Sequence, residues 1–258
     1  MSEVTLTTAR HFLDQLALPA FTQSGFEGVE ETPSIDFDEL KNQATVVGSE
    51  IVSFVKGVSA ARRQDIVNSA LLAQLAADHK VKDRSKIFEW YDAYFDVLTN
   101  LGWVIQDNSF ASYEKEAEGL EAHEAILKVA TVLLGAAPTA LAVVTSTIEA
   151  MKSMDQNSPW ITIFDRESRK AETARFQIAL AEEDEQGQFL VSMMAFGLKA
   201  DSTLTQVLFF KIRSDKMSFK HCSSKVTIND EVLDGIREKV RVKLLGRTGG
   251  YIDSLDLD

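Results

Sequence analysis

The chain has 258 residues, of which 45% are hydrophobic and 26% are charged, so it can fold around a substantial core and is not a disordered tail. Its 39 acidic and 27 basic side chains give a formal net charge of -12, which disfavours broad electrostatic binding of nucleic acid or anionic lipid. The single cysteine, Cys222, excludes an intrachain disulfide, a cysteine-rich zinc module and an iron–sulfur cluster held by this chain alone.

The chain is predicted to contain one domain flanked by two extensions. Residues 1–43 form a predicted N-terminal arm, acidic and rich in turn formers, residues 44–246 an α/β domain, and residues 247–258 a C-terminal tail. Residues 1–18 lack the basic start and unbroken apolar core of a secretory signal peptide. We therefore expect cytoplasmic synthesis, with membrane association or release by a non-classical route as open alternatives.

Apolar residues at helical spacing predict two helical hairpins and a final helix. The hairpins pair residues 59–79 with 83–98 and residues 123–134 with 139–151, and the final helix covers residues 230–245, ending at Gly246. Short apolar or alternating runs predict strands at 44–55, 103–113, 160–164, 175–181, 189–198, 206–212 and 217–228.

These elements predict a single domain of the α/β (α+β) class. Short turns between the late strands favour a central antiparallel sheet, and the two hairpins can cover its two apolar faces. The sequence therefore predicts an antiparallel β-sheet sandwiched between two layers of helical hairpins.

The second hairpin contains the longest uncharged stretch, residues 129–148, which is just long enough to span a bilayer. Gly135 and Pro138 interrupt it, which favours a short connection between two helices. We expect a buried hairpin, with a transmembrane span and a hairpin that can leave the core as alternatives.

Catalytic and metal-binding patterns are sparse, and we predict neither catalytic residues nor a metal site. The four histidines, His11, His79, His123 and His221, have no spacing typical of metal ligands. Cys222 differs because His221 precedes it and Lys220 and Lys225 flank it on a predicted strand. Nearby cations favour the nucleophilic thiolate, which could be acylated, whereas the alternative is a small buried hydrophobe.

The late strands resemble those of a known family. The run QVLFFKI at 206–212, preceded by the apolar strand 189–200 and the tryptophan strand 160–164, resembles the Cyt family of bacterial cytolytic toxins. The hairpin at 128–151 falls where those toxins carry paired helices. That family is similar in fold to Evf, an Erwinia virulence factor associated with infection of insects. The resemblance implies a Cyt/Evf-like α/β domain.

The resemblance also implies a function that involves lipid. In Cyt toxins the helical layers are thought to separate from the sheet, and in Evf a cysteine in the hydrophobic interior holds a fatty acyl chain. By this resemblance Cys222 would carry a thioester-linked fatty acid such as palmitate. The expected residues of the lipid pocket or membrane-facing hairpin are Val129, Val132, Leu133, Leu141 and Val144.

We therefore predict an insect-associated bacterial virulence factor that binds lipid or membrane, with oligomers on membranes possible and no nucleic acid partner. One alternative is a pore-forming cytolysin of the Cyt type in which strands between residues 189 and 219 insert. Another is an enzyme that transfers or hydrolyses acyl groups through Cys222, with His221 or another histidine as base. The pair of Cys222 and His221 is poorly placed, because neighbouring residues on a strand point to opposite faces.

Overall fold

The structure, a computed structural model, describes residues 4–19, 35–135, 137–183, 188–204, 206–245, 247 and 251–257. Part of the predicted acidic arm, the predicted helix end at Gly246 and part of the predicted tail lie outside the described residues.

The described residues form seven helices and one mixed sheet. The helices are α1 (Leu6–Gln15), α2 (Ala60–Lys80), α3 (Ile87–Asn100), α4 (Ala122–Leu134), α5 (Pro138–Ser153), α6 (Pro159–Ser168) and α7 (Asp230–Leu244). The strands are β1 (Gln43–Val47), β2 (Glu50–Phe54), β3 (Trp103–Val104), β4 (Ala111–Ser112), β5 (Arg169–Lys170), β6 (Thr173–Glu183), β7 (Phe189–Ala200), β8 (Met217–Ile228) and β9 (Ile252–Asp256).

The strands run in the order β3-β8-β7-β6-β2-β1-β9, with β4 paired to β8 and β5 to β6. All pairings are antiparallel except that of β2 with β6. Each face of the sheet is covered by helices, and alternate strand residues enter two separate cores. On β6, for example, Ala179 belongs to one core and Ile178 to the other.

We call α1, α2, α3 and α7 the first layer, and α4, α5 and α6 the second layer. Apolar residues of the first layer form one cluster with their face of the sheet, and those of the second layer form another cluster with the opposite face. The predicted α/β fold, a central antiparallel sheet between two helical layers, is confirmed, with the parallel β2–β6 pair as the one departure among the described strands.

The predicted strand at 44–55 is a hairpin of two strands. Val47 pairs with Glu50 across a turn formed by Gly48 and Ser49. Gly48 has a φ of 56°, which is sterically favourable for glycine and typical of the first central position of a tight hairpin turn. The β-branched residues on both sides of this turn predict one long strand, whereas the chain reverses direction at Gly48 and Ser49.

The predicted strand at 160–164 is wrong, because these residues lie in helix α6. The Ser158 side chain accepts a hydrogen bond from the Ile161 amide at 3.4 Å, and Pro159 occupies the first turn. Trp160, Ile163 and Phe164 are buried at helical spacing against the second core. The Ser158 cap and the proline in the first turn favour a helix start here, although the short apolar run by itself is compatible with a strand.

The predicted strand at 206–212 is also wrong. Residues 206–212 are not part of a strand, although Lys211 forms an isolated bridge with Glu121. The carbonyls of Leu208 and Phe210 instead accept hydrogen bonds from the amides of His123 and Ala122, each at 2.9 Å. This segment thus satisfies free amides at the start of α4, since the first amides of a helix lack partners within it.

The predicted strand at 103–113 pairs with β8 only at its two ends. Trp103 pairs with Ile228 and Ala111 pairs with His221, and the residues between them leave the sheet. The chain on this side has one more residue than the facing part of β8, and such an extra residue disrupts the ladder locally.

The predicted arm and tail each contain an element that packs on the domain. In α1, Ala9 and Leu13 are fully buried in the first core, and Arg10 donates a hydrogen bond to the Gly235 carbonyl of α7 at 3.1 Å. Strand β9 pairs with β1 along its length.

Candidate functional site

The five residues predicted for the second hairpin occupy different environments. Val129 of α4 and Val144 of α5 are buried against the sheet, with exposures of 4% and 0%. Leu133 and Leu141 are half-buried, whereas Val132 near the tip of α4 is 85% exposed. The five residues therefore do not line one pocket: two pack on the sheet and one faces solvent.

The outer surface of this hairpin carries no charge over its distal part. No charged residue occurs between residues 129 and 148. The exposed positions on this stretch are Thr131, Val132, Gly135, Pro138, Thr139, Ala142 and Ser146. By contrast, the exposed positions of α3 include Glu89, Asp92 and Asp96. A helix at the surface of a soluble protein normally carries charge on its solvent side, so this surface is unusual for a chain with 26% charged residues.

Apolar packing provides nearly all of the contact between the hairpin and the sheet. The Thr147 side chain on α5 lies 2.9 Å from the Ser53 hydroxyl on β2. In the described part of the chain, this is the one side-chain hydrogen bond that joins α4 or α5 to a strand. Non-directional apolar contact is the kind of interaction that hydrocarbon can replace.

The first layer is attached differently, through a buried polar network that the sequence analysis missed. The Tyr94 hydroxyl of α3 donates to Oε2 of Glu50 at 2.6 Å, and Glu50 is fully buried. Gln74 of α2 donates to the Val47 carbonyl at 2.8 Å and accepts from the Ser49 amide at 2.9 Å.

The network continues along the sheet. Gln177 of β6 donates to the Tyr91 hydroxyl at 3.1 Å, and that hydroxyl lies 2.8 Å from the Phe196 carbonyl of β7. Beyond it, the Arg175 guanidinium pairs with Asp78 at 2.5 Å and lies 4.1 Å from the centre of the Trp90 ring. The two layers therefore differ in attachment: directional polar contacts support the first layer, and apolar packing the second.

Burial strongly perturbs the acid at the centre of this network. Loss of hydration raises the pKa of Glu50 to about 7, although the hydrogen bond from Tyr94 and the nearby Gln74 side chain act in the opposite direction. One sequence signal could have identified it, because Glu50 is the single charged residue between Ala44 and Val55. A lone charge in an apolar run is an informative position.

Cys222 lies on the face opposite the second hairpin. Its side chain belongs to the first core, is 6% exposed, and has Sγ 3.9 Å from the Asp107 carbonyl. Residues of one strand alternate between faces, so Cys222 cannot share a pocket with Val129 or Val144, which belong to the second core. The expectation of one acyl pocket formed by this thiol and the hairpin is wrong.

Of the two alternatives for Cys222, its surroundings favour a small buried hydrophobe over a thiol activated by flanking cations. Burial, with a smaller contribution from Asp107, raises the pKa of Cys222 to about 11, so the thiol stays protonated at neutral pH. Lys220 is directed over the Phe88 ring, with Nζ 5.2 Å from its centre. His221 packs against Tyr113 on the opposite face, with ring centres 4.8 Å apart. His221 is therefore not placed to act as a base for Cys222.

Two surface pockets lie away from these residues. One, of about 440 Å³, lies between α1, α2 and α3 and is lined by apolar residues that include Phe12, Leu16 and Val97. The other, of about 310 Å³, lies beside the starts of α2 and α7 and contains the ion pair of Arg237 with Asp65. Neither includes Cys222 or any of the five hairpin residues.

The described residues show neither a metal-binding cluster nor a bilayer-spanning helix. No group of three or more histidine, cysteine, aspartate or glutamate side chains in this part of the chain is arranged to hold a metal ion. No helix within the described ranges combines the length and apolar character that crossing a bilayer requires.

Comparisons with known proteins find similar solved structures, among them a delta-endotoxin and a virulence factor. No protein-family model matches this sequence, and no curated protein matches it. The chain is similar to a delta-endotoxin, with 15% identity over 83% of this chain and 92% of that chain and a TM-score of 0.40. It is also similar to a protein described as the Evf virulence factor, with 10% identity over 80% of this chain and 82% of that chain and a TM-score of 0.31. The sequence itself resembles these two kinds of protein.

Proposed function

We propose that this protein is a toxin-like virulence factor whose α4–α5 hairpin leaves the sheet and enters lipid. The observation that carries this proposal is the absence of charge on the hairpin from residue 129 to residue 148, on its outer as well as its inner surface. The role in bacterial virulence, and the association with insect hosts, are what the sequence resemblance implies.

The energetics of this exchange support the proposal. The inner surface of the hairpin, which includes Val129 and Val144, loses contact with the sheet and gains contact with hydrocarbon, a comparable partner. The outer surface enters lipid without burying a charge, which would be expensive there. The polar loss against the sheet is the Ser53–Thr147 contact, about 1 kcal/mol for a typical hydrogen bond. Movement of the start of α4 would also break the backbone hydrogen bonds from Ala122 and His123 to the carbonyls of Phe210 and Leu208.

The lengths of the helices define how the hairpin would insert. Helix α4 has 13 residues and α5 has 16 residues, whereas crossing the hydrocarbon core takes about 20 residues. The hairpin would therefore lie in the interfacial region with its tip, around Val132, in the outer hydrocarbon.

A fluorescent probe at the hairpin tip tests this function. We replace Cys222 by alanine, introduce Val132→Cys, and label that thiol with an environment-sensitive dye. Neutral-lipid vesicles should shift its emission to the blue. The matched control is Val242→Cys on α7, an exposed valine that also lies two residues before its helix ends. An unchanged spectrum at residue 132, or an equal shift at both positions, would contradict insertion of the hairpin.

A second candidate function is membrane permeabilisation by the long strands. Strands β6, β7 and β8 have 11, 12 and 12 residues, and a strand that crosses a membrane needs about 9–11 residues. Removal of the second layer would expose the stacked rings of Phe176, Phe196 and Phe219 on their face of the sheet. Release of a vesicle-trapped dye at low protein concentration favours this candidate, whereas hairpin insertion without release favours lipid binding alone.

Covalent acylation of Cys222, with palmitate as the expected acid, is a separate part of the proposal. Its apolar surroundings suit an acyl chain, but the protonated, buried thiol is a poor nucleophile, so acylation would have to precede folding or be catalysed by another protein. Intact-mass spectrometry of protein from its native host tests this. A hydroxylamine-labile mass increase that is absent from Cys222→Ala supports acylation, and an unmodified mass contradicts it.

A further inference from the structure

Four residues form one row across the sheet beneath the first layer. Glu50 of β2 pairs with Gln177 of β6, Gln177 with Ala195 of β7, and Ala195 with Cys222 of β8. Neighbouring strands are about 4.8 Å apart, so the row spans about 14 Å. Its first two members hold the first layer, because Glu50 accepts from Tyr94 and Gln177 donates to Tyr91. Its last member is the single thiol of the chain.

Within the described residues, no cationic side chain pairs directly with Glu50. From α3 it faces Tyr94 and Tyr91, and from α2 it faces Gln74. Among the buried or partly buried charged groups of α2 and β6, Asp78 and Arg175 pair with each other at 2.5 Å, Asp65 pairs with Arg237 of α7, and Arg63 donates to Gln43 and to the Val58 carbonyl. Ionisation of Glu50 therefore places an uncompensated negative charge inside the core, which is unfavourable unless water reaches it.

We propose that the buried Glu50 carboxyl is a proton-dependent latch: the α2–α3 hairpin stays on the sheet while Glu50 is neutral and loosens when Glu50 ionises, because burial of the charge costs more than the hydrogen bond from Tyr94 returns. The proposal is independent of the proposed lipid function, because it concerns the first layer and is tested without lipid.

The direction of the pH dependence follows from the carboxyl group. Its pKa is about 7 in the closed layer and would return toward the ordinary 4.5 where water reaches it. Rising pH thus favours the open layer. With these two values, the open-to-closed ratio increases roughly tenfold between about pH 6 and about pH 9.

The thiol at the end of the row reports opening of the first layer. The experiment measures the rate at which N-ethylmaleimide modifies Cys222 between pH 6 and 9 in the wild type and in Glu50→Gln, which has a similar size, keeps an acceptor for Tyr94 and cannot ionise. The ratio of the two rates removes the intrinsic effect of pH on the thiol. The matched control is Glu89→Gln, an exposed residue of α3.

We expect the ratio of the wild-type rate to the Glu50→Gln rate to rise about tenfold from pH 6 to pH 9, and the Glu89→Gln rate to follow the wild type. A ratio that stays constant would overturn the latch.

If Glu50→Gln does not fold, hydrogen exchange of the wild type gives the same test. Amide protection of α3 should fall relative to that of α5 in the same sample as the pH rises, after correction for intrinsic exchange. Equal changes in both helices would also overturn the proposal.

Discussion

A single negative charge at the hairpin tip should abolish most lipid binding without damaging the fold. Val132 is 85% exposed in the folded protein, so Val132→Asp removes little buried surface. Its effect on stability is limited to helix propensity and an acidic group near the end of α4, about 1 kcal/mol together. In hydrocarbon the same aspartate costs about 3 kcal/mol at the centre of a helix, more than a hundredfold in partitioning.

The aspartate should weaken lipid binding less at the tip of a short hairpin than it would at the bilayer centre, because the tip lies in the outer hydrocarbon. We predict that Val132→Asp weakens binding to neutral-lipid vesicles at least tenfold, about 1.4 kcal/mol. Vesicle flotation over a range of lipid concentrations measures the partition coefficient, and urea unfolding measures the stability of the same samples. Neutral lipid is used because an anionic surface would repel any added negative charge.

Val242→Asp is the matched control for this experiment. Val242 is 54% exposed and, like Val132, lies two residues before the end of its helix, so both variants add the same charge in the same helical context. It should bind vesicles as the wild type does. Equal binding by all three proteins, or an equal loss in both variants, would refute the hairpin as the inserting element.

Three further outcomes follow from buried groups. Thr147→Val should lower the free energy of unfolding by about 1–3 kcal/mol, because it leaves the Ser53 hydroxyl without its partner in the core, and adding Ser53→Ala should recover part of that loss in urea titrations. If the single variant matches the wild type, the contact adds nothing to hairpin attachment. Cys222 should react with N-ethylmaleimide at pH 8 at least about a hundredfold more slowly than a free thiol, because its pKa is about 11 against an ordinary 9.0 and burial also limits access of the reagent, and denaturant should abolish the difference. Rapid native modification would contradict burial of this thiol. The pKa of Glu50 is raised in the folded state, so the neutral carboxyl contributes fully to the free energy of unfolding below about pH 4.5. That contribution is lost as pH rises through about 7, which lowers the free energy of unfolding by up to about 3 kcal/mol. Urea titrations at pH 5 and at pH 8 should show this fall in the free energy of unfolding in the wild type but not in Glu50→Gln. The same fall in both proteins would mean that groups other than Glu50 cause it.

The sequence predicts the helices well where start signals and periodicity agree. Helices α2, α5 and α7 begin at Ala60, Pro138 and Asp230, each within one residue of the predicted starts at 59, 139 and 230, and the Ser59 and Asn229 side chains cap two of them. The long strands β6, β7 and β8 are also found at the predicted places. Local chemistry determines these elements, so a single sequence is enough to locate them.

Errors arise where tertiary contacts decide between local alternatives. Residues 160–164 alternate like a strand, but their apolar side chains also suit one face of a helix. Residues 206–212 are apolar because they pack on the second core beside the start of α4, not because they join the sheet.

The candidate sites depend on which face of the sheet each residue occupies, and register determines that. A shift of one residue would move Cys222 to the side of the second hairpin, so composition and spacing could not exclude a shared pocket. The Glu50 network is even less visible, because it brings together α2, α3, β2 and β6.

A reversible cross-link between the hairpin and the sheet tests the central claim most directly. The Ser53 and Thr147 side-chain oxygens lie 2.9 Å apart, so cysteines at both positions, in a Cys222→Ala background, bring sulfur atoms within reach of a disulfide of ~2.05 Å. The oxidised protein should not bind neutral-lipid vesicles, and reduction should restore binding to the level of the Cys222→Ala parent. Equal binding before and after reduction would show that the hairpin does not need to leave the sheet.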